Sequence, residues 1–264
     1  MLFRLGAYRM FRNDPVVAWR FMRLWLPDVI RALAPNAGYG VDHMPATGGA
    51  VLAANHLSAI DPPAIGVYST RAIRYMTKVE LLRIPVAGPF LRMTGTFAVR
   101  RGEGDRDSLR VARWLVREGH VVGMFMEGTR QRLGYPGSTH SGAAMVAMQE
   151  GVPVVPVGID AFGWSLQNRR PLAVAIGKPM DLSGFPRNGK GYKEAAGLVE
   201  AEMVRLWHLA AQAVSDGLPD RLRDGTPRDP EVTLRNFERP AGLKNWPTED
   251  WAKEPLGPLY GAIA

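Results

Sequence analysis

Short apolar-rich runs alternate with amphipathic segments along this chain, most regularly between residues 50 and 180. Runs bounded by Gly, Pro, Asn or Asp predict strands at Ala50–Ala54, Ala72–Thr77, Thr96–Val99, Val121–Phe125, Pro153–Ile159 and Leu172–Ile176. Between them, Pro63–Tyr68, Val79–Leu82, Asp105–Glu118 and Gly142–Glu150 predict helices; in the third, Leu109, Ala112 and Val116 with Val111 and Leu115 supply an apolar stripe. A final helix is expected over Tyr192–Ser215, turning Leu198, Ala201, Met203, Leu206, Leu209 and Ala210 to the core. Such alternation implies an α/β fold, a layered and largely parallel (mixed) sheet flanked by helices.

The first 34 residues have another character. Leu2, Phe3, Leu5, Tyr8 and Phe11 interleave with arginines, and beyond Pro15 come Trp19, Phe21, Trp25 and Ile30 among Arg20, Arg23 and Arg31. This pattern fits an amphipathic helical element docked on a membrane, with rings at the headgroup level and cations toward anionic lipid. It also fits helices packed on the domain's own core. Residues 35–216 then form the α/β domain, and 217–264, rich in Pro, Asp and Arg, form an irregular tail.

No window approaches the roughly eighteen continuous apolar residues of a spanning helix. The first apolar patch is also broken by Arg4, Arg9, Arg12 and Asp14, unlike a secretory leader. A peripheral protein on a cytoplasmic membrane face is therefore expected. The chain has no cysteine, which removes thiol nucleophiles, disulfides and Cys-based metal sites. Its net charge of +8 suits an anionic partner. Neither zinc-finger spacing nor an aromatic-and-basic RNA-binding strand is visible, so nucleic acid is not expected.

Candidate chemistry gathers at the ends of predicted strands. After Ala50–Ala54 comes Asn55-His56-Leu57-Ser58-Ala59-Ile60-Asp61, followed by Pro62-Pro63, a helix-start signal. A carboxylate beside an imidazole fixes its tautomer and stabilises the imidazolium formed on proton abstraction. His56 and Asp61 are thus a candidate base and its partner, or a loop histidine beside a helix cap. Gly95-Thr96-Phe97-Ala98-Val99-Arg100-Arg101 ends a second strand, and Phe125-Met126-Glu127-Gly128-Thr129-Arg130 a third. Gly151-Val152-Pro153-Val154-Val155-Pro156 opens a fourth. In open α/β sheets ligands collect beyond the carboxyl ends of strands, and arginine is shaped for bidentate phosphate binding.

In this order and spacing, the blocks resemble the glycerolipid acyltransferases, that is, the 1-acylglycerol-3-phosphate and glycerol-3-phosphate O-acyltransferases. Asn55, His56, Ser58 and Asp61 match the first block; Gly95, Phe97, Arg100 and Arg101 the second. Phe125, Glu127, Gly128, Thr129 and Arg130 match the third, and Val152, Pro153, Val154 and Pro156 the fourth. Lys78-Val79-Glu80-Leu81 matches an element between the first two. Met126 stands where the family has proline and Gln131 where it has serine. His140-Ser141-Gly142 replaces a more basic stretch. These departures spare the catalytic pair and bear on the acceptor.

The resemblance implies a peripheral membrane enzyme that moves a fatty acyl group from acyl-CoA or acyl carrier protein to the hydroxyl of a lysophospholipid, above all lysophosphatidic acid. His56 would be the general base oriented by Asp61. Glu127, Gly128, Thr129 and Arg130 would form the acceptor pocket, with Arg130 on the phosphate and Lys78 and Arg100 as further phosphate contacts. Backbone N–H groups near Gly128 are candidates for the oxyanion. No metal and no bound cofactor is implied, since the thioester is a co-substrate. Other lysolipids or glycerol 3-phosphate stay open as acceptors, as do a thioesterase and a non-catalytic lipid-binding module. Of the other histidines, His208 is expected to be structural and His140 lies near the third block.

Overall fold

Ala50–Ala54 forms the central strand, β2, and all five residues are buried. Its side chains alternate between two cores. Ala50, Leu52 and Ala54 face one cluster, Val51 and Ala53 another. Helices cover both faces of the sheet, which is why the strand is apolar throughout instead of alternating with polar residues. The computed structural model describes residues 24–229 apart from 79, 86–87, 90, 92–93 and 100–104, together with Trp19 and Met22.

The described strands are β1 (Asn36–Tyr39), β2, β3 (Ile73–Lys78), β4 (Phe97–Val99), β5 (Val121–Phe125), β6 (Val154–Asp160) and β7 (Leu172–Ile176). They join in one seven-stranded sheet of order β1-β7-β6-β2-β5-β3-β4. Strands β2 to β6 run parallel, while β7 pairs antiparallel with β6 and β1 follows β7. The mixed α/β sheet expected from the alternation is observed. Helices α1 (Leu26–Leu33) and α2 (Asp61–Tyr68) supply Leu26, Ile30, Ile65 and Tyr68 to the first cluster. Helices α3 (Asp105–Arg117), α4 (Gly142–Glu150) and α5 (Gly189–Ser215) close the other face with Leu115, Ala144, Val146, Val199 and Met203. Helix α5 lies so close to β6 that a Cβ on Gly158 would fall 2.0 Å from Trp207 N.

Local expectations change at several places, among them the start of α5 at Gly189 instead of Tyr192. Of the expected Val79–Leu82 helix, Val79 lies outside the described residues, and a single 3-10 turn occupies Leu81–Arg83, because Pro85 holds Ile84 extended. Helix α2 begins at Asp61 instead of Pro63, its prolines fitting in the first turn. Strand β1 was not expected, since Asn36-Ala37-Gly38-Tyr39 is poor in strand formers. It forms because Gly38 leaves room for the Tyr68 ring, whose Cδ1 would lie 1.9 Å from a Cβ there, and Tyr68 Oη donates to Asn36 Oδ1. Leu198, expected inside, is 48% exposed, while α5 turns Ala195, Ala196 and Val199 inward.

Of the N-terminal element, Trp19, Met22, Leu26 and Ile30 pack in the first core cluster, while Leu24 and Val29 are exposed. Residues 1–18 lie outside the described residues, and no described helix is long and apolar enough to cross a membrane. The tail begins by packing on the domain: Leu218 and Leu222 are buried with Tyr39, Ala210 and Val214. Residues 230–264 are outside the described part.

Candidate active site

Because β2 to β6 are parallel, the carboxyl ends of these strands share one edge of the sheet. Chain order departs on both sides of β2, to β5 and to β6, so the edge opens where α/β sheets bind ligands. His56 lies two residues past the end of β2. Its loop is pinned by Asn55, whose Nδ2 donates to Ile159 O and whose Oδ1 accepts from Ile159 N, both at 2.8 Å. This side chain continues the ladder between β2 and β6 by one rung after the backbone has left it.

Asp61 settles the choice between helix cap and partner of the histidine. Its Oδ2 lies 2.8 Å from His56 Nδ1 and accepts from Leu57 N and Ser58 N at 2.7 Å each. The carboxylate therefore bonds backward into the loop, and nothing in α2 is capped by it. Three donors converge on one oxygen, as an anionic acceptor requires. Burial holds the Asp61 pKa above its ordinary value, a rise that His56 and the two amides reduce without cancelling. With Nδ1–H committed to Asp61, Nε2 is left as the basic nitrogen. Phe125, the last residue of β5, stacks on the imidazole at 4.0 Å, and Tyr75 of β3 stacks on Phe125 at 5.6 Å.

The turn after β5 is tied to the same loop. Met126 N donates to Ala54 O at 3.0 Å and Gln131 N to His56 O at 2.8 Å. Glu127 is buried at 4% exposure and sits beneath this turn, its Oε1 accepting from the backbone N–H of Gly137. Burial raises its pKa to about 8. Gly128 takes a positive φ of 66°, and Gly128, Thr129 and Arg130 are exposed beside the histidine loop. The Gly128 N–H donates to Phe125 O at 3.0 Å, so this amide is committed to the turn and not to an oxyanion. His140 packs over Gly128, its Cδ2 3.4 Å from where a Cβ would stand.

Lys78 ends β3 at the same edge, and its backbone alone is described; Arg100 and Arg101 lie outside the described residues. The other histidines belong elsewhere. His43 bonds Ile176 O, His120 meets Arg74, and His208 packs edge-on to Trp207. Asp160, at the end of β6, was missed. It is buried, its pKa raised by burial to about 6 against the opposing charge of Arg170. Its place at a strand's carboxyl end was the available signal. Asp61 Oδ1, Tyr75 Oη and Glu127 Oε2 are buried without hydrogen-bond partners. Such orphaned oxygens gathered around one histidine are a cost that folds retain at functional sites.

Known proteins resemble this chain in sequence and in fold. The family model described as Acyltransferase matches residues 38–160, from β1 through β6. The 1-acyl-sn-glycerol-3-phosphate acyltransferase of Bacillus subtilis is 30% identical over 150 residues, 56% of this chain and 74% of that one. A lyso-ornithine lipid O-acyltransferase of Pseudomonas aeruginosa is 33% identical over 109 residues, 40% of this chain and 41% of that protein. Among solved structures, the 1-acyl-sn-glycerophosphate (LPA) acyltransferase PlsC of Thermotoga maritima superposes with a TM-score of 0.57. It covers 75% of this chain and 87% of its own at 22% identity, a likeness of fold. With 30% identity to the Bacillus enzyme over three quarters of that protein's length, the chain belongs to the acyltransferase family.

Proposed function

We propose that the protein transfers a fatty acyl group from acyl-CoA or acyl carrier protein to the hydroxyl of lysophosphatidic acid, giving phosphatidic acid. The supporting observation is the 2.8 Å bond from His56 Nδ1 to Asp61 Oδ2 at the carboxyl edge of the parallel strands. His56 Nε2 takes the proton as the acceptor oxygen attacks the thioester carbonyl. Asp61 stabilises the imidazolium, and the tetrahedral intermediate collapses to ester and thiolate. The proton then passes from His56 to the departing sulfur. Such positioned base catalysis contributes roughly two to four powers of ten in rate. The thioester is already activated, so the proposed reaction uses neither metal nor bound cofactor.

Gly128, Thr129 and Arg130 are proposed to meet the acceptor, with Arg130 on its phosphate and Lys78 and Arg100 as further cations. Glu127, buried beneath them, supports the pocket wall. Residues 1–34 are proposed to hold the enzyme peripherally on the cytoplasmic face of a membrane. Another lysolipid acceptor is the second reading, favoured by the Pseudomonas relative and by Met126, Gln131 and His140. The test is a panel of lysophosphatidic acid, other lysolipids and glycerol 3-phosphate, each with labelled acyl-CoA and acyl carrier protein. Lysophosphatidic acid should be acylated fastest. A faster lysolipid would shift the acceptor, and no product with any pair would leave a binding module. Free fatty acid released without acceptor would mark a thioesterase.

A further inference from the structure

Two loops border the His56 edge, residues 126–141 after β5 and 161–171 after β6. They touch each other, since a Cβ on Gly134 would lie 2.9 Å from the Phe162 ring. The first is bonded directly to the catalytic loop through Gln131 N and His56 O. Each lifts a leucine into solvent: Leu133 is 73% exposed and Leu166 62%. Tyr135, two residues beyond Leu133 on the first loop, is also exposed. Among the described large hydrophobic residues only Leu24 is more exposed than this pair.

One exposed leucine needs no explanation. Here two stand on touching loops beside the site, and the exposed charges those loops carry are all arginines. Residues 126–141 hold Arg130, Arg132 and the buried Glu127, while residues 161–171 hold Arg169 and Arg170 and no Asp or Glu. Arg170 is turned to the charge of Asp160, but Arg130, Arg132 and Arg169 are exposed. Apolar tips on loops whose exposed charges are guanidiniums match an anionic bilayer, leucines entering the acyl region and arginines meeting headgroup phosphates. Tyrosine is at home at the same depth.

We propose that these two loops form a lipid-contacting lip, which seats the mouth of the site on an anionic bilayer with Leu133 and Leu166 inserted. The proposal rests on the lipid-acceptor function given above and adds a second contact to the N-terminal element. It brings the acceptor to His56 from the membrane side, without a passage through water.

The absence of cysteine makes a direct test simple. Leu133→Cys, Leu166→Cys and, on the outer face of α5, Leu198→Cys are each labelled with an environment-sensitive fluorophore in the full chain. They are mixed with phosphatidylcholine vesicles with or without phosphatidylglycerol. Emission should shift to the blue at 133 and 166, stay unchanged at 198, and respond to the anionic vesicles alone. No shift at 133 and 166 on vesicles that sediment the protein overturns the proposal, as does an equal shift at 198. A shift produced by acyl carrier protein and not by vesicles would assign the loops to a protein and overturn it as well. The double variant Leu133→Ser/Leu166→Ser should bind anionic vesicles at least about tenfold more weakly. It should acylate a short-chain, water-soluble lysolipid within about twofold of wild type, because neither residue touches the base. Unchanged vesicle affinity contradicts the lip. A wild type that acylates nothing defeats the proposed function instead, and the fluorescence still reads the lip.

Discussion

Replacing Asp61 by Asn keeps the size of the side chain and an oxygen for the Leu57 and Ser58 amides, but removes the charge facing His56. In wild type the imidazole and carboxylate meet at 2.8 Å between Nδ1 and Oδ2, inside a site where Asp61 has no exposed surface. Charge centres roughly 4 Å apart at an effective dielectric of about 20 attract by about 4 kcal/mol. That attraction exists only when His56 is protonated, in the transition state, and is absent for the neutral resting imidazole. At about 1.4 kcal/mol per tenfold, Asp61→Asn should lower kcat about a thousandfold. KM should change little, because the lost interaction is made after substrate binds. The assay is steady-state acylation of lysophosphatidic acid by labelled acyl-CoA, with thermal melts to show that the variant is folded. A folded Asp61→Asn within about tenfold of wild type in kcat would refute the role given to this carboxylate.

Glu127 makes stability fall as pH rises. Its folded pKa of about 8 stands above the ordinary 4.5, so between these values the native state holds a proton that the unfolded chain releases. Urea melts across that window should lose stability with a slope approaching about 1.4 kcal/mol per pH unit, and Glu127→Gln should flatten it. Asn55→Ala leaves Ile159 N–H and C=O buried without their 2.8 Å partners, which should cost about 2–4 kcal/mol in denaturant melts and lower kcat by loosening the His56 loop. Gly158→Ala drives a methyl to 2.0 Å from the backbone of α5, and should cost about 3 kcal/mol or more in the same melts. Phe125→Leu removes the ring stacked on His56 at 4.0 Å, worth about 1 kcal/mol, and should slow turnover about fivefold without unfolding the protein.

What was legible in the chain was local. Strand β2 declares itself by five apolar residues in a row, and the His56 and Asp61 residues lie close enough in sequence to be read as a pair. Parallel topology followed from the alternation and correctly placed Glu127–Arg130 beside that pair. The sequence could not show that Asp61 bonds backward to Leu57 and Ser58, since aspartate before proline equally signals a helix cap. Nor could it show what holds the loop in place, because Asn55 finds Ile159 across 104 residues. Leu198 misled for another reason. In that turn α5 gives its facing positions to Ala195, Ala196 and Val199, and the larger leucine is left outside. Hydrophobicity alone marks a helix face, whereas close packing selects for small side chains. Strand β1 was hidden in the same way, its register with β7 depending on a glycine that clears the Tyr68 ring.

The role of His56 itself is tested most directly by replacing it. Phosphatidic acid formation from lysophosphatidic acid and labelled acyl-CoA or acyl carrier protein is measured for wild type and His56→Ala, matched for folding and for binding to anionic vesicles. Turnover should fall by at least about a hundredfold, the lower bound for a positioned general base, with both proteins on the membrane. Equal product from the two proteins would contradict it.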